Sequence, residues 1–157
     1  MGLEFSPDTW KRFEEIVGRY PKKEAALLPV LSLAQKEFDY LSVEAMEYVA
    51  RIMEVPPARV YSVVSFYTLL NMKPVGKYHI QVCRTLPCNL MGAERVTACL
   101  RKKLGIELGE TTPDGRFTLA EVECLASCGT APMMQVNEDY YENLNEEKLD
   151  EILQRLK

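Results

Sequence analysis

The chain has one histidine and no basic run longer than the three residues Arg101-Lys102-Lys103, and each shortage removes a class of function. Its 19 Lys and Arg and 23 Asp and Glu are spread along 157 residues for a net charge of -4, which argues against nucleic acid as a partner. A lone His79 excludes a metal site built on paired imidazoles, such as a Rieske centre. No C-x-x-C is present, so thioredoxin-type thiol exchange is not indicated. Neither G-x-G-x-x-G nor a P-loop occurs, so any nicotinamide or flavin is expected on another protein. The longest apolar stretches, Ala25 to Leu33 and Val60 to Leu70, are too short or too polar to span a bilayer, and the N-terminus lacks the layout of a signal peptide. The expectation is a cytoplasmic protein, soluble or docked on something larger, without direct membrane insertion.

What is present is enough apolar material for a real core, 47% of residues, and five cysteines. In a reducing compartment clustered cysteines mean metal or redox chemistry more often than structural disulfides. The first 72 residues read as helical. Ser6-Pro7 is a helix start, followed by Trp10, Phe13, Ile16 and Val17 at helical spacing until Pro21. Lys22 to about Phe38 predicts a second helix, bent at Pro29. A third begins after Ser42 and a fourth at Pro56-Pro57.

Met72 to Gly76 reads as a linker, and the pattern then changes. Lys77 to Cys83 alternates like a strand, Gly92 to Leu104 is a helix, and Asp114-Gly115 turns into a second strand, Phe117 to Cys124. Met133 to Val136 and Tyr140 to Asn143 predict a hairpin across Asn137-Glu138-Asp139, and an amphipathic helix follows Asn145. A helical crossover makes the first two strands parallel, and a short turn makes the last two antiparallel. The expected fold is therefore α/β: an N-terminal helical bundle over residues 1–72, then a thioredoxin-like mixed β-sheet domain over 73–157.

Cys83 and Cys88 form a C-x4-C pair on a loop after the first strand, and Cys124 and Cys128 a C-x3-C pair after the second. Neighbouring parallel strands end on the same sheet edge, which brings the two pairs together. Four thiolates on a 2Fe-2S cluster leave a net negative charge, so the site needs backbone N–H donors, and Ala126, Ser127 and Gly129 suit that demand. Structural zinc uses similar spacings, so the spacing alone leaves both metals open.

The residues around these cysteines resemble a known family. Cys83-Arg84-Thr85-Leu86-Pro87-Cys88 with Leu90 and Gly92, and Glu123-Cys124-Leu125-Ala126-Ser127-Cys128 with Ala131-Pro132 and Val136-Asn137, are similar to the thioredoxin-like 2Fe-2S subunit of NADH:quinone oxidoreductase, respiratory complex I. Relatives occur in NAD-linked hydrogenases and formate dehydrogenases. Thr112 to Phe117 and Val64-Ser65-Phe66-Tyr67 share the likeness, which runs from about Phe13 to the C-terminus. The resemblance implies one 2Fe-2S cluster on Cys83, Cys88, Cys124 and Cys128. It implies a one-electron carrier packed against a larger flavoprotein that holds FMN, NADH and a 4Fe-4S cluster, and a place at the periphery of the inner membrane within such a complex. The alternatives are the equivalent hydrogenase or formate dehydrogenase subunit, or a zinc-stapled interaction module. Thioredoxin-like folds also commonly place a cis-proline before a strand near this site, and Ala131-Pro132 stands at that position.

Other residues have plainer readings. Cys99 shares a helix face with Val96 and Leu100 and reads as a small core residue. His79 reads as a hydrogen-bonded sheet residue, and Tyr140-Tyr141 as strand packing. Arg84, between two candidate ligands, reads either as a charge that raises the cluster potential or as a solvated loop cation.

Overall fold

The computed structural model describes residues 2–156. The chain forms two compact units, Met1–Pro74 and Val75–Lys157.

In the first unit, α1 (Pro7–Gly18) starts where Ser6 accepts a hydrogen bond from the Thr9 N–H and Pro7 occupies a position whose N–H would go unused. Residues 22–38 are not one bent helix. A 3₁₀ turn over Lys23–Ala26 precedes α2 (Leu27–Phe38), which places Pro29 in the first turn of α2. An N–H there has no partner within the helix, so proline begins this helix instead of kinking it. Ser42 caps α3 (Val43–Met53) through the Ala45 N–H, and α4 (Pro57–Phe66) begins on the second of two prolines. Val30, Leu31, Leu41, Val49 and Val60 make the fully buried centre. Beside them Phe5 packs on Phe13, Phe38 and Tyr48, with ring centroids 5.0 to 6.2 Å apart.

The second unit is a four-stranded sheet with helices packed on it. Its strands are β1 (Tyr78–Cys83), β2 (Phe117–Val122), β3 (Met134–Val136) and β4 (Asp139–Tyr141), in the order β2-β1-β3-β4. β1 and β2 are parallel, with Ile80 opposite Leu119 and Cys83 opposite Val122, whereas β3 is antiparallel to both β1 and β4. Its helices are α5 (Leu86–Leu90), α6 (Ala93–Leu104) and α7 (Glu146–Arg155). Four successive residues of β1, Ile80 to Cys83, are buried, as a central strand covered on both faces requires. Leu100, Leu119, Met133 and Leu149 fill the core around it.

Three local expectations change. The segment carrying Cys88 is the short helix α5 and not a loop, with Thr85 at its N-cap and Pro87 in its first turn. β2 stops at Val122, so Cys124 lies two residues past the strand. The hairpin turn holds only Asn137 and Glu138, and Asn137 supplies the left-handed residue at φ 55°. Gly76 leads into β1 where a side chain could not fit, because a Cβ there would come within 2.9 Å of the Arg116 carbonyl group. The Ala131-Pro132 bond is cis and sits just before β3. Among the described residues no helix is long and apolar enough to cross a membrane.

Candidate metal centre

The parallel pairing of β1 and β2 creates the site. Cys83 is the last residue of β1 and is buried, and the Arg84 N–H still bonds the Val122 carbonyl at 3.0 Å, so both strands end at one edge. From that edge α5 carries Cys88 back into the core, where it is 1% exposed. The loop after β2 brings Cys124 and Cys128 alongside, both exposed. Ala126 between them takes the left-handed conformation at φ 61°, which turns its N–H toward the Cys124 sulfur at 3.3 Å.

All five cysteines are free thiols. Burial pushes the Cys83 thiol up, but the Thr85 hydroxyl, 3.2 Å from its sulfur, outweighs burial together with the backbone N–H groups of Leu125 and Thr85 and a hydrogen bond with Cys88, leaving it below the ordinary value. Burial raises the Cys88 thiol to about 11, and the hydrogen bond with Cys83 adds to the rise although the Met133 N–H opposes it. A hydrogen bond with Cys124 holds the Cys128 thiol above its ordinary value, and the charges of Cys124 and Cys83 act in the same direction. Cys83 and Cys88 thus influence each other's ionisation, as Cys124 influences that of Cys128, and the charge of Cys128 is felt at Cys88. They resist simultaneous ionisation, and a cationic centre would relieve that repulsion.

The chain matches the thioredoxin-like [2Fe-2S] ferredoxin family over residues 13–157. It belongs to that family. As a thioredoxin-like ferredoxin it is 50% identical over 143 residues to a subunit of the NADH-quinone oxidoreductase of Rickettsia felis, covering 89% of this chain and 86% of the relative. It is also 41% identical over 158 residues to the mitochondrial NADH dehydrogenase [ubiquinone] flavoprotein 2 of Dictyostelium discoideum, across 99% of this chain and 64% of the relative. Among solved structures, an NAD+-reducing [NiFe]-hydrogenase in its air-oxidised state superposes with a TM-score of 0.71 at 21% identity, over 83% of this chain and 22% of the hydrogenase chain. That likeness concerns the fold.

One 2Fe-2S cluster is the group to set against this ferredoxin's residues. Among the described residues no three Cys, His, Asp or Glu side chains surround one point as a single metal ion would require. Four thiols in two pairs match in number the four thiolates that a 2Fe-2S cluster requires, and the Ala126 N–H already faces the Cys124 sulfur at 3.3 Å. The residues fit.

The remaining side chains divide clearly. Cys99 is half-buried against the core on α6, and burial first of all raises its thiol; the charges that act on it are Lys102, Lys103, Glu146 and Asp150, none of them in the cluster site. Burial lowers the imidazole of His79, and its backbone N–H bonds the Asn137 side chain at 2.9 Å. Arg84 is no free cation: it pairs with Glu123. Sequence reasoning missed Thr85 and the Leu125 and Met133 N–H donors, and it missed Glu142, which accepts hydrogen bonds from Ser127 and Thr130 on either side of Cys128. Thr85 and Leu125 lie within the cysteine motifs, but the spacing does not say which of their groups face a sulfur, and no motif marks Met133 or Glu142, which only the fold brings to the cysteines.

Proposed function

We propose that this chain is the one-electron carrier subunit of an NADH:quinone oxidoreductase, holding one 2Fe-2S cluster on Cys83, Cys88, Cys124 and Cys128 beside a flavoprotein partner. The observation that carries the reading is the convergence of two thiol pairs at the ends of two adjacent parallel strands. It gains weight from the 50% identity to a component of a bacterial NADH-quinone oxidoreductase.

When bound, a 2Fe-2S cluster supplies a centre that takes up and returns one electron at a time. The chain supplies its setting. Buried Cys83 and Cys88 keep water from one side, and the N–H groups of Leu125, Ala126 and Met133 with the Thr85 hydroxyl offset negative charge on the sulfurs. Exposed Cys124 and Cys128 leave the other side open to a partner, and Leu86, Leu90 and Met91 on or beside α5 expose apolar surface next to it.

NADH gives up two electrons as a hydride, so a flavin must divide the pair before a one-electron centre can accept them. The chain carries no nucleotide motif. FMN and NADH are therefore assigned to the partner, and the resemblance to the family assigns it a 4Fe-4S cluster as well. The helical region 1–72 is assigned to docking, which its exposed Tyr61, Phe66 and Leu69 support. Membership of such a complex would place the chain in the cytoplasm at the periphery of the inner membrane. The equivalent subunit of an NAD-linked hydrogenase is the second reading and draws on a likeness of fold.

The test is anaerobic purification with iron, sulfide and zinc assays and EPR of the reduced protein. NADH turnover with an artificial acceptor follows, for the chain alone and for the chain co-expressed with the flavoprotein. The expected result is two irons and two sulfides per chain, no turnover by the chain alone, and turnover by the co-purifying pair. Bound zinc, or NADH oxidation by the single chain, would refute the proposal.

A further inference from the structure

The exposed half of the cysteine site lies on a segment with little regular structure, so something outside it must hold it in place. Between Val122 and Cys128 there is no helix or strand, and Cys128 opens a single 3₁₀ turn, Cys128–Thr130. The Thr130 N–H closes that turn on the Ser127 carbonyl at 3.2 Å. Ser127, just before the turn, and Thr130, its last residue, then reach one acceptor. Glu142 Oε1, one residue beyond β4, accepts from Ser127 Oγ and from Thr130 Oγ1, the latter at 2.7 Å, while the two hydroxyl oxygens lie 2.8 Å apart. The neighbouring Asn143 N–H adds a backbone bond to the Thr130 carbonyl at 2.7 Å.

We propose that Glu142 is a positioning residue for the cluster: its carboxylate ties Ser127 and Thr130 together and so holds Cys128 at the distance from Cys124 that the cluster needs. The inference rests on Cys124 and Cys128 being ligands. An ionised carboxylate accepts hydrogen bonds only and is a stronger acceptor than a neutral group, so it suits two converging hydroxyls. It also sets one negative charge beside the open side of the site, where it opposes the arrival of an electron. Glu142 would thus affect both how long the cluster is retained and how readily it is reduced.

The experiment uses the full chain with its cluster and compares wild type with Glu142→Ala, Glu142→Gln and the double variant Ser127→Ala/Thr130→Ala. Iron loss to a chelator, thermal unfolding, the EPR spectrum of the reduced protein and its reduction potential are measured on each. Glu142→Ala is expected to lose iron about tenfold faster, the low end of the effect of removing a partner that orients metal ligands. The double hydroxyl variant should do the same, and it serves as the second route should Glu142→Ala fold poorly. Glu142→Gln keeps an acceptor without the charge, so it should recover most of the iron retention and still be reduced at a higher potential than wild type. Iron loss at the wild-type rate in both Glu142→Ala and the double variant, with unchanged EPR, would overturn the inference. So would iron loss that merely follows a lowered unfolding temperature. Cys128→Ser run in parallel separates the underlying assignment, because full iron retention by that variant removes the ligand reading itself.

Discussion

Arg84 and Glu123 form an ion pair in which both Nε and Nη2 of the arginine donate to Oε1, at 3.1 and 2.6 Å. Arg84 follows Cys83 and Glu123 precedes Cys124, so the pair joins the two strand ends that carry the thiols. Both side chains are well exposed, and such pairs contribute little to stability. Their charges nearly cancel as seen from the cluster site. Glu123→Gln should therefore raise the reduction potential by about 20 mV, the size of one charge roughly 10 Å away in a water-like medium, and Arg84→Gln should lower it similarly. The double variant should return near wild type. Redox titration followed by EPR checks this, and a large shift in the double variant would show that Arg84 acts on the cluster beyond its pairing.

Serine at Cys83, Cys88, Cys124 or Cys128 should each abolish stable binding of a 2Fe-2S cluster, whereas serine at Cys99 should not. Four thiols are paired at the strand ends, and the fifth lies against the core on α6. Iron and sulfide content after anaerobic purification checks the set. Retention of both irons by Cys124→Ser would contradict it.

The helical unit should lose stability in acid through Glu37. Its carboxylate accepts from Thr9 Oγ1 at 2.7 Å and from the Ser6 N–H at 2.9 Å, and these bonds hold it below the usual carboxylate range. A carboxylate lowered in the folded state contributes stability that is complete above its unfolded value and is lost as pH falls through the folded one. Wild type should thus lose stability toward Glu37→Gln as pH drops below the ordinary range for glutamate. Denaturant melts of both proteins across acidic pH decide it, and an unchanged difference would exclude this role.

Leu119→Ala should destabilise the cluster unit by about 2 to 5 kcal/mol, the range for emptying a leucine site in a core. Leu119 is fully buried and stands opposite Ile80 in the parallel pairing that places α5 and the loop after β2, the two segments that carry Cys88, Cys124 and Cys128. Urea unfolding should show the loss, and faster iron release should accompany it.

Much of this was legible because the signals are local. Ser6-Pro7, Ser42 and Asn145 each mark a helix start, since a side-chain oxygen there accepts an N–H three residues on, and all three do so here. The alternation before Cys83 and the Asn137 turn marked the strands, and the cysteine spacing marked the site. The start of α2 was not legible, because Pro29 breaks a helix interior yet fits a first turn, and sequence does not say which turn it occupies. The helix under Cys88 was hidden in five residues, too few to show a period.

The sequence alone determined which residue types were available, where the chain turns from helix to sheet, and that four of the five cysteines stand in two close-spaced pairs. Those features depend on neighbours a few residues apart, whose dihedral preferences and hydrogen-bonding groups act wherever the segment lies. Only the tertiary structure decided that Arg84 is neutralised by Glu123, that Leu125 and Met133 present N–H groups to the sulfurs, and that Glu142 grips the turn around Cys128. These partners lie on different strands and loops, and charges and hydrogen bonds act only over a few ångströms. Their pairing therefore exists only once β1 lies between β2 and β3 and the hairpin brings residue 142 back beside residue 127.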